Sequence, residues 1–243
     1  MSNGIIKKGL LIALILCAFG SIAQSYQTEG RVYFERKTNL EKKFKGSDSP
    51  WTRRIKVKDK IDKFELFFTD STSLFRPIES DIPDELSWAT SKNKVYQNFN
   101  TGERITLMSF WSGDLPIEDS IKVREWKMTT SERKIAGYDC RKVFWQVNDS
   151  LRIYAWYAEE IPVSTGPESF NGLPGLILGL ATEDGGVVYF AREVEFKKVE
   201  VEAKIPEYKK KEVKSEEEML KFLLDNFARD AYMKASLQNM FIW

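Results

Sequence analysis

The chain reads as a mainly β protein: a curved antiparallel sheet or half-barrel with a C-terminal helical segment. Three observations predict this class. Between Glu29 and Lys198 short alternating runs follow one another at turn-length spacing, leaving no room for the crossover helices that parallel strands require. Sixteen Phe, nine Tyr and seven Trp suit the concave face of a bent sheet, where large rings fill the interior. After Lys209 the apolar period lengthens from two residues to three and four, as a helix demands.

The chain opens with Lys7 and Lys8, followed by the apolar run Leu10–Phe19. That run falls short of the roughly 20 residues a membrane-spanning helix needs. Ser21-Ile22-Ala23 supplies small residues at the −3 and −1 positions, so the segment reads as a secretory signal cleaved between Ala23 and Gln24. A lipid anchor at Cys17 is the competing reading, disfavoured by the bulky Leu16 before it. The expected product is exported, periplasmic or outer-membrane-associated, with no later transmembrane segment. Loss of residues 1–23 leaves 35 Lys+Arg against 36 Asp+Glu, a net charge of −1. Such a balance lacks the basic footprint of a nucleic-acid binder.

The β region, expected over 24–205, begins with the alternating Arg31–Glu35. Asn39–Asp62 is charged and aperiodic and reads as a loop or a poorly packed edge without assigned function. Phe64–Thr69, the polar Asp70–Ser73 and Leu74-Phe75 form a hairpin, and Lys94–Phe99 turns through Asn100–Glu103 into Arg104–Met108. Arg141–Val147 and Leu151–Tyr157 form another about Asn148-Asp149-Ser150, and a late strand runs from Gly186 to Ala191 and on to Phe196. Residues 206–243 are expected as a charged linker, Lys209–Glu212, and a helix. Ser215 and Glu218 make a capping box, and Met219, Phe222, Leu223 and Phe227 recur at helical spacing. One or two helices docked on the sheet account for this pattern; an amphipathic tail that binds a partner is the alternative.

The composition limits the chemistry. The chain has no histidine, which removes His-based triads, general bases and metal sites. Only Cys140 follows the signal segment, so no internal disulfide and no thiolate cluster forms; Cys140 reads as a small buried hydrophobe. No nucleotide-binding glycine motif occurs, and no cofactor or metal is expected. The one enzymatic option is a carboxylate-dependent glycan hydrolase using Glu159, Glu160 and Glu168 among Trp156, Tyr157 and Phe170.

The most informative segment is Gly172-Leu173-Pro174-Gly175-Leu176-Ile177, a turn sequence with apolar flanks. Pro174 and Gly175 suit the second and third positions of a type II turn, with Gly175 at positive φ. Leu173, Leu176 and Ile177 require burial, either in the protein's own core or against something else. These six residues spell the signature of the GLPGLI family of secreted bacterial proteins, which the chain resembles. Lys134–Lys142 is similar to that family's I-x-G-Y-x-C-x-K element, Trp156–Pro162 to its W-Y-x-x-x-I-P element, and Gly166-Pro167 to the pair before the signature. The resemblance extends over Lys134–Leu180; Val143 departs from it where a small residue is usual. It implies export in a Gram-negative envelope and a mostly β fold, and it supplies no activity. The same elements resemble periplasmic lipoprotein carriers with half-barrel folds. The expected function is therefore a non-catalytic envelope protein that binds a protein partner or an apolar ligand, with Trp156, Tyr157 and Gly172–Ile177 at its binding segment. A periplasmic lipid or lipoprotein carrier and the glycan hydrolase are the alternatives.

Overall fold

The computed structural model describes residues 27–47, 49–111, 113–201 and 204–243. The expected signal segment lies outside them. Eleven strands form one antiparallel sheet: β1 (Gly30–Asn39), β2 (Asp59–Phe68), β3 (Thr72–Pro77), β4 (Lys94–Asn98), β5 (Glu103–Phe110), β6 (Gly113–Ser120), β7 (Trp126–Ile135), β8 (Tyr138–Asn148), β9 (Leu151–Ala158), β10 (Leu176–Thr182) and β11 (Val187–Phe196). Their spatial order is 6-5-4-3-2-1-11-10-9-8-7. Two meanders thus meet at the central β1–β11 pair, and β6 and β7 become the two edges.

Those edge strands are joined by only residues 121–125. Six Cα steps span at most about 20 Å, so the sheet must curl until its edges nearly meet. Register shifts in β1–β11, β9–β10, β7–β8 and β8–β9 supply bends of the kind that bulges introduce. The sheet stays open, and its concave side faces a continuous core. Val32, Phe34, Phe64, Leu66, Phe68, Phe75 and Tyr189 come from the strands, and Phe170, Leu173, Leu176, Ile177 and Leu178 from the segment between β9 and β10 and from β10 itself.

Among the described residues three helices accompany the sheet: α1 (Leu40–Lys43), α2 (Glu216–Phe227) and α3 (Ala231–Met240). The capping box is formed, with Ser215 and Glu218 each bonding the other's backbone N–H. Met219 and Leu223 of α2 and Leu237 of α3 pack on Met108 and Ile117. Phe222 is exposed instead of joining them; its ring meets Phe227 on the solvent side.

The aperiodic stretch 39–62 requires correction. It holds α1, a 3-10 turn at Thr52–Arg54 and the first four residues of β2. Lys60 and Asp62 alternate inward there with exposed Asp59 and Ile61, so the buried positions are charged and hydrophobic alternation is lost. Strands β6 and β7 also escape the sequence pattern. Among the described residues no helix is long and apolar enough to cross a membrane.

Candidate functional site

Residues 159–175 leave β9, enter the curl of the sheet and return as β10. They form a plug that bonds to both wings. On one side Thr165 Oγ1 donates to Ser73 Oγ at 2.9 Å and Asn171 Nδ2 to Gln97 Oε1 at 2.9 Å. On the other, Trp126 Nε1 donates to the Asn171 carbonyl at 2.9 Å, and Arg124 Nη1 and Nη2 donate to the Ser169 carbonyl and hydroxyl. The Arg124 and Trp126 side chains thus meet two plug carbonyls, whereas Ser73 and Gln97 hold plug side chains.

The apolar signature lies inside this plug. Leu173, Leu176 and Ile177 are buried, as are Trp156 and Tyr157, while Gly172 and Pro174 reach the surface. The expected geometry of the turn is corrected. Positive φ falls at Gly172 (85°) and not at Gly175. Gly175 is needed for space instead: a Cβ there would stand 2.2 Å from the Ala158 carbonyl oxygen. Gly166 is likewise closed off, its would-be Cβ 2.5 Å from Ile177 Cβ.

The plug carries one carboxylate into the interior. Glu168 is 1% exposed and sits at φ 55°, a backbone strain that a functional or structural constraint must hold in place. Its Oε1 accepts from the Tyr189 hydroxyl at 2.6 Å, and its Oε2 from Asn93 Nδ2 at 3.2 Å. Sheet register explains the next layer. Arg36 of β1 stands opposite Asp62 of β2 and Tyr189 of β11, which brings the three side chains together across the concave face. Arg36 Nη2 meets Asp62 Oδ2 at 2.8 Å; its Nη1 donates to Tyr189 Oη at 3.3 Å and lies 3.8 Å from Glu168 Oε1. Asp62 also accepts from Thr90 at 2.8 Å and pairs with Lys60.

The two carboxyls are driven apart electrostatically. Burial raises the Glu168 pKa, and Arg36 with the Tyr189 and Asn93 hydrogen bonds only partly offsets it. Burial also acts on Asp62, but Arg36 and the bonds from Arg36, Lys60 and Thr90 outweigh it and bring its pKa below the ordinary value. Burial and the adjacent Glu168 push Tyr189 well up, so it remains a hydroxyl donor. Burial opposes the Arg36 charge, but the Tyr189 oxygen as acceptor and the carboxyls of Asp62 and Glu168 raise its pKa.

This layer floors a cavity of about 650 Å³ between the concave face, α1 and α3. Val187, Met240, Ile242 and Trp243 form an apolar wall, and Thr38, Lys43 and Lys45 a polar one. Trp243 packs its ring 5.7 Å from Tyr189 and 5.8 Å from Phe170, and its carbonyl accepts from Ser169 Oγ at 2.9 Å. At the mouth Lys42 pairs with Asp184, and the Tyr232 hydroxyl donates to the Lys43 carbonyl at 3.3 Å. Neither Lys43 nor Lys45 has a carboxylate within ion-pair distance among the described residues.

The carboxylates named for hydrolysis are not brought together. Glu159 and Glu160 are exposed, and Glu159 meets Tyr157 and Arg141, whereas Glu168 is sealed inside with Arg36 and Tyr189. Cys140 is fully buried, and burial pushes its thiol up to about 11, which keeps it from forming a thiolate. Among the described residues no group of three or more His, Cys, Asp or Glu side chains is arranged to hold a metal. Sequence reasoning reached Glu168 but missed Arg36, Asp62, Asn93, Tyr189, Lys43 and Lys45.

The comparisons with known proteins bear on the plug and the fold. A family described as a protein of unknown function (Porph_ging) matches residues 143–179, a stretch that includes Gly172–Ile177. No curated protein matches the chain. Among solved structures, PNGF-II in its P21 crystal form superposes with a TM-score of 0.54 at 16% identity, covering 82% of this chain and 33% of that one. Its C2 form gives a TM-score of 0.52 at 15% identity, with 88% and 33% covered. The chain therefore spans about a third of the length of that protein. An uncharacterized conserved protein from Thermus thermophilus gives a TM-score of 0.41 at 8% identity, covering 78% of this chain and 91% of that one. At these identities the likeness to PNGF-II concerns the fold.

Proposed function

We propose that the protein is an exported, non-catalytic binding protein whose cavity takes an amphipathic anion, such as a long-chain carboxylate. The observation that carries this reading is the cavity itself. Its volume of about 650 Å³ falls within the roughly 300–1,000 Å³ typical of small-molecule sites. Its walls are divided in chemistry: Val187, Met240, Ile242 and Trp243 would contact an apolar chain, and the ammonium groups of Lys43 and Lys45 would meet an acidic head. The opening residues Lys7–Ala23 support export.

The state of the interior carboxylates favours binding over hydrolysis. Asp62 and Glu168 both face Arg36, and each accepts further protein hydrogen bonds. Neither is left to flank a sugar from opposite sides, as glycoside hydrolysis demands. A carrier of lipid or of lipidated protein is one form of this reading, since both present an acyl chain. The segment Trp156–Ile177 then acts as the rigid support of the cavity, its leucines being spent in the core.

The test is extraction of protein purified without detergent, followed by mass spectrometry. An amphipathic acid present near one equivalent is the expected result. An extract holding no acyl-bearing species, together with no uptake of added hexadecanoate, would sink the proposal.

A further inference from the structure

The opposite face of the sheet carries a second groove that the cavity does not use. It lies where the chain leaves β11 and crosses back over β1, β2 and β3, and it has a volume of about 540 Å³. Val201 of this crossing segment is fully buried against Phe67, Leu74 and Tyr96, so the groove has a packed floor. Sheet register builds the rest. Arg31 stands opposite Phe67, and Glu65 opposite both Tyr33 and Arg76, so alternate residues of three neighbouring strands project outward together.

Three cations converge on one ring. The Arg31 guanidinium carbon is 5.3 Å from the Phe67 centroid, that of Arg76 5.2 Å, and Lys204 Nζ 5.1 Å. Phe67 is 4% exposed, which fixes it as a platform and strengthens its attraction for cations. A single carboxylate, Glu65, serves both arginines: it pairs with Arg31 and accepts from Arg76 Nε at 2.7 Å. Lys198 and Glu200 lie on the lip, and Lys197 pairs with Glu195 at 2.7 Å. Among the described residues Lys204 has no carboxylate within ion-pair distance, and the two arginines share one.

The donors are in excess as well as the charges. Arg31 Nε is buried and has no acceptor. A guanidinium carries five N–H donors, and an unmet buried donor costs stability. Arg76 meets Glu65 through Nε, and no protein acceptor among the described residues meets its Nη groups. A tetrahedral dianion would answer the charge and accept from the free Arg76 Nη groups, because several oxygens at one point accept from a guanidinium fork and an ammonium together.

We infer that this groove is a binding site for a phosphate monoester, held by Arg31, Arg76 and Lys204 over Phe67. The ester-bearing part of the ligand would extend along the groove beside Lys198.

The test is a ¹⁵N chemical-shift titration of the full chain with inorganic phosphate and inorganic sulfate, against chloride at matched ionic strength. The same titration is made with phosphatidic acid vesicles, using phosphatidylcholine vesicles as control. Saturable shifts at Arg31, Phe67, Arg76 and Lys204 are expected, weakened about tenfold, the equivalent of one step of about 1.4 kcal/mol, by Arg76→Gln and by Lys204→Gln. Both side chains are partly exposed, so the variants keep the fold, and an unchanged thermal midpoint verifies it. Binding of the free anions assigns the site to a soluble ester; binding of phosphatidic acid vesicles alone assigns it to a lipid headgroup. Absence of saturable shifts with every probe, equal shifts with chloride, or shifts unchanged in both variants would overturn the inference.

Discussion

Arg36 is the residue on which the interior depends. It is 5% exposed and faces two carboxylates, one from the sheet and one from the plug. Replacing it by Met leaves Asp62 and Glu168 buried without their shared cation, a change that costs about 3–5 kcal/mol. Urea denaturation of Arg36→Met should show this loss, and a loss below about 1 kcal/mol would mean that the layer is solvated. Glu168 adds a signature in pH. Its pKa lies above the ordinary 4.5, so the folded state keeps a proton that the unfolded chain releases between 4.5 and that raised value. Stability therefore falls as pH rises through this window. Asp62, lowered from 3.8, acts in the opposite sense: its contribution is present above 3.8 and lost as pH falls through its folded value. Glu168→Gln should flatten the decline above pH 4.5 and leave the acid limb in place, as urea midpoints between about pH 3 and about pH 8 would record. An unchanged slope above 4.5 would show that Glu168 does not titrate with folding. At Gly175 the effect is steric. An added methyl 2.2 Å from the Ala158 carbonyl oxygen has only backbone to displace, and Gly175→Ala should cost about 1–3 kcal/mol or more by thermal unfolding.

At the scale of elements, the plug and the capping box show what local pattern reveals and what it hides. Ser215 and Glu218 are legible because a cap is a contact between near neighbours in sequence. Ser215→Ala should lower stability by about 1 kcal/mol; since α2 packs Met219 and Leu223 on Ile117, the loss should appear as earlier amide exchange in α2 than in β1. The plug's leucines were equally legible as residues demanding burial. Their turn geometry was not, because Gly175 answers to Ala158, a residue of the preceding strand, and the positive φ falls on Gly172 instead. Strands β1 to β5, β8, β9 and β11 are visible where their inward residues are apolar. The start of β2 was lost because its inward residues are Lys60 and Asp62, and β7 because most of its residues are exposed. The same blindness hid the site. Arg36, Asp62 and Tyr189 become neighbours only through the pairing of β2, β1 and β11, and hydrophobic patterning carries no information about which charges that pairing joins.

For the molecule as a whole, the decisive feature is the curl. Five residues link the two edge strands, so the sheet must close on something, and the chain supplies most of that filling itself from residues 159–175, α2, α3 and Trp243. What it leaves unfilled is the cavity over Arg36 and Tyr189. Ala235 of α3 lines that cavity and is itself exposed, so Ala235→Trp would obstruct the cavity without entering the core. The most direct measurement is a calorimetric titration of the lipid-stripped protein with hexadecanoate, for the natural chain and for Ala235→Trp. Saturable one-to-one binding, weakened at least about tenfold by the substitution, is the result expected of an interior site. No binding, or binding of equal strength in both proteins, would contradict it.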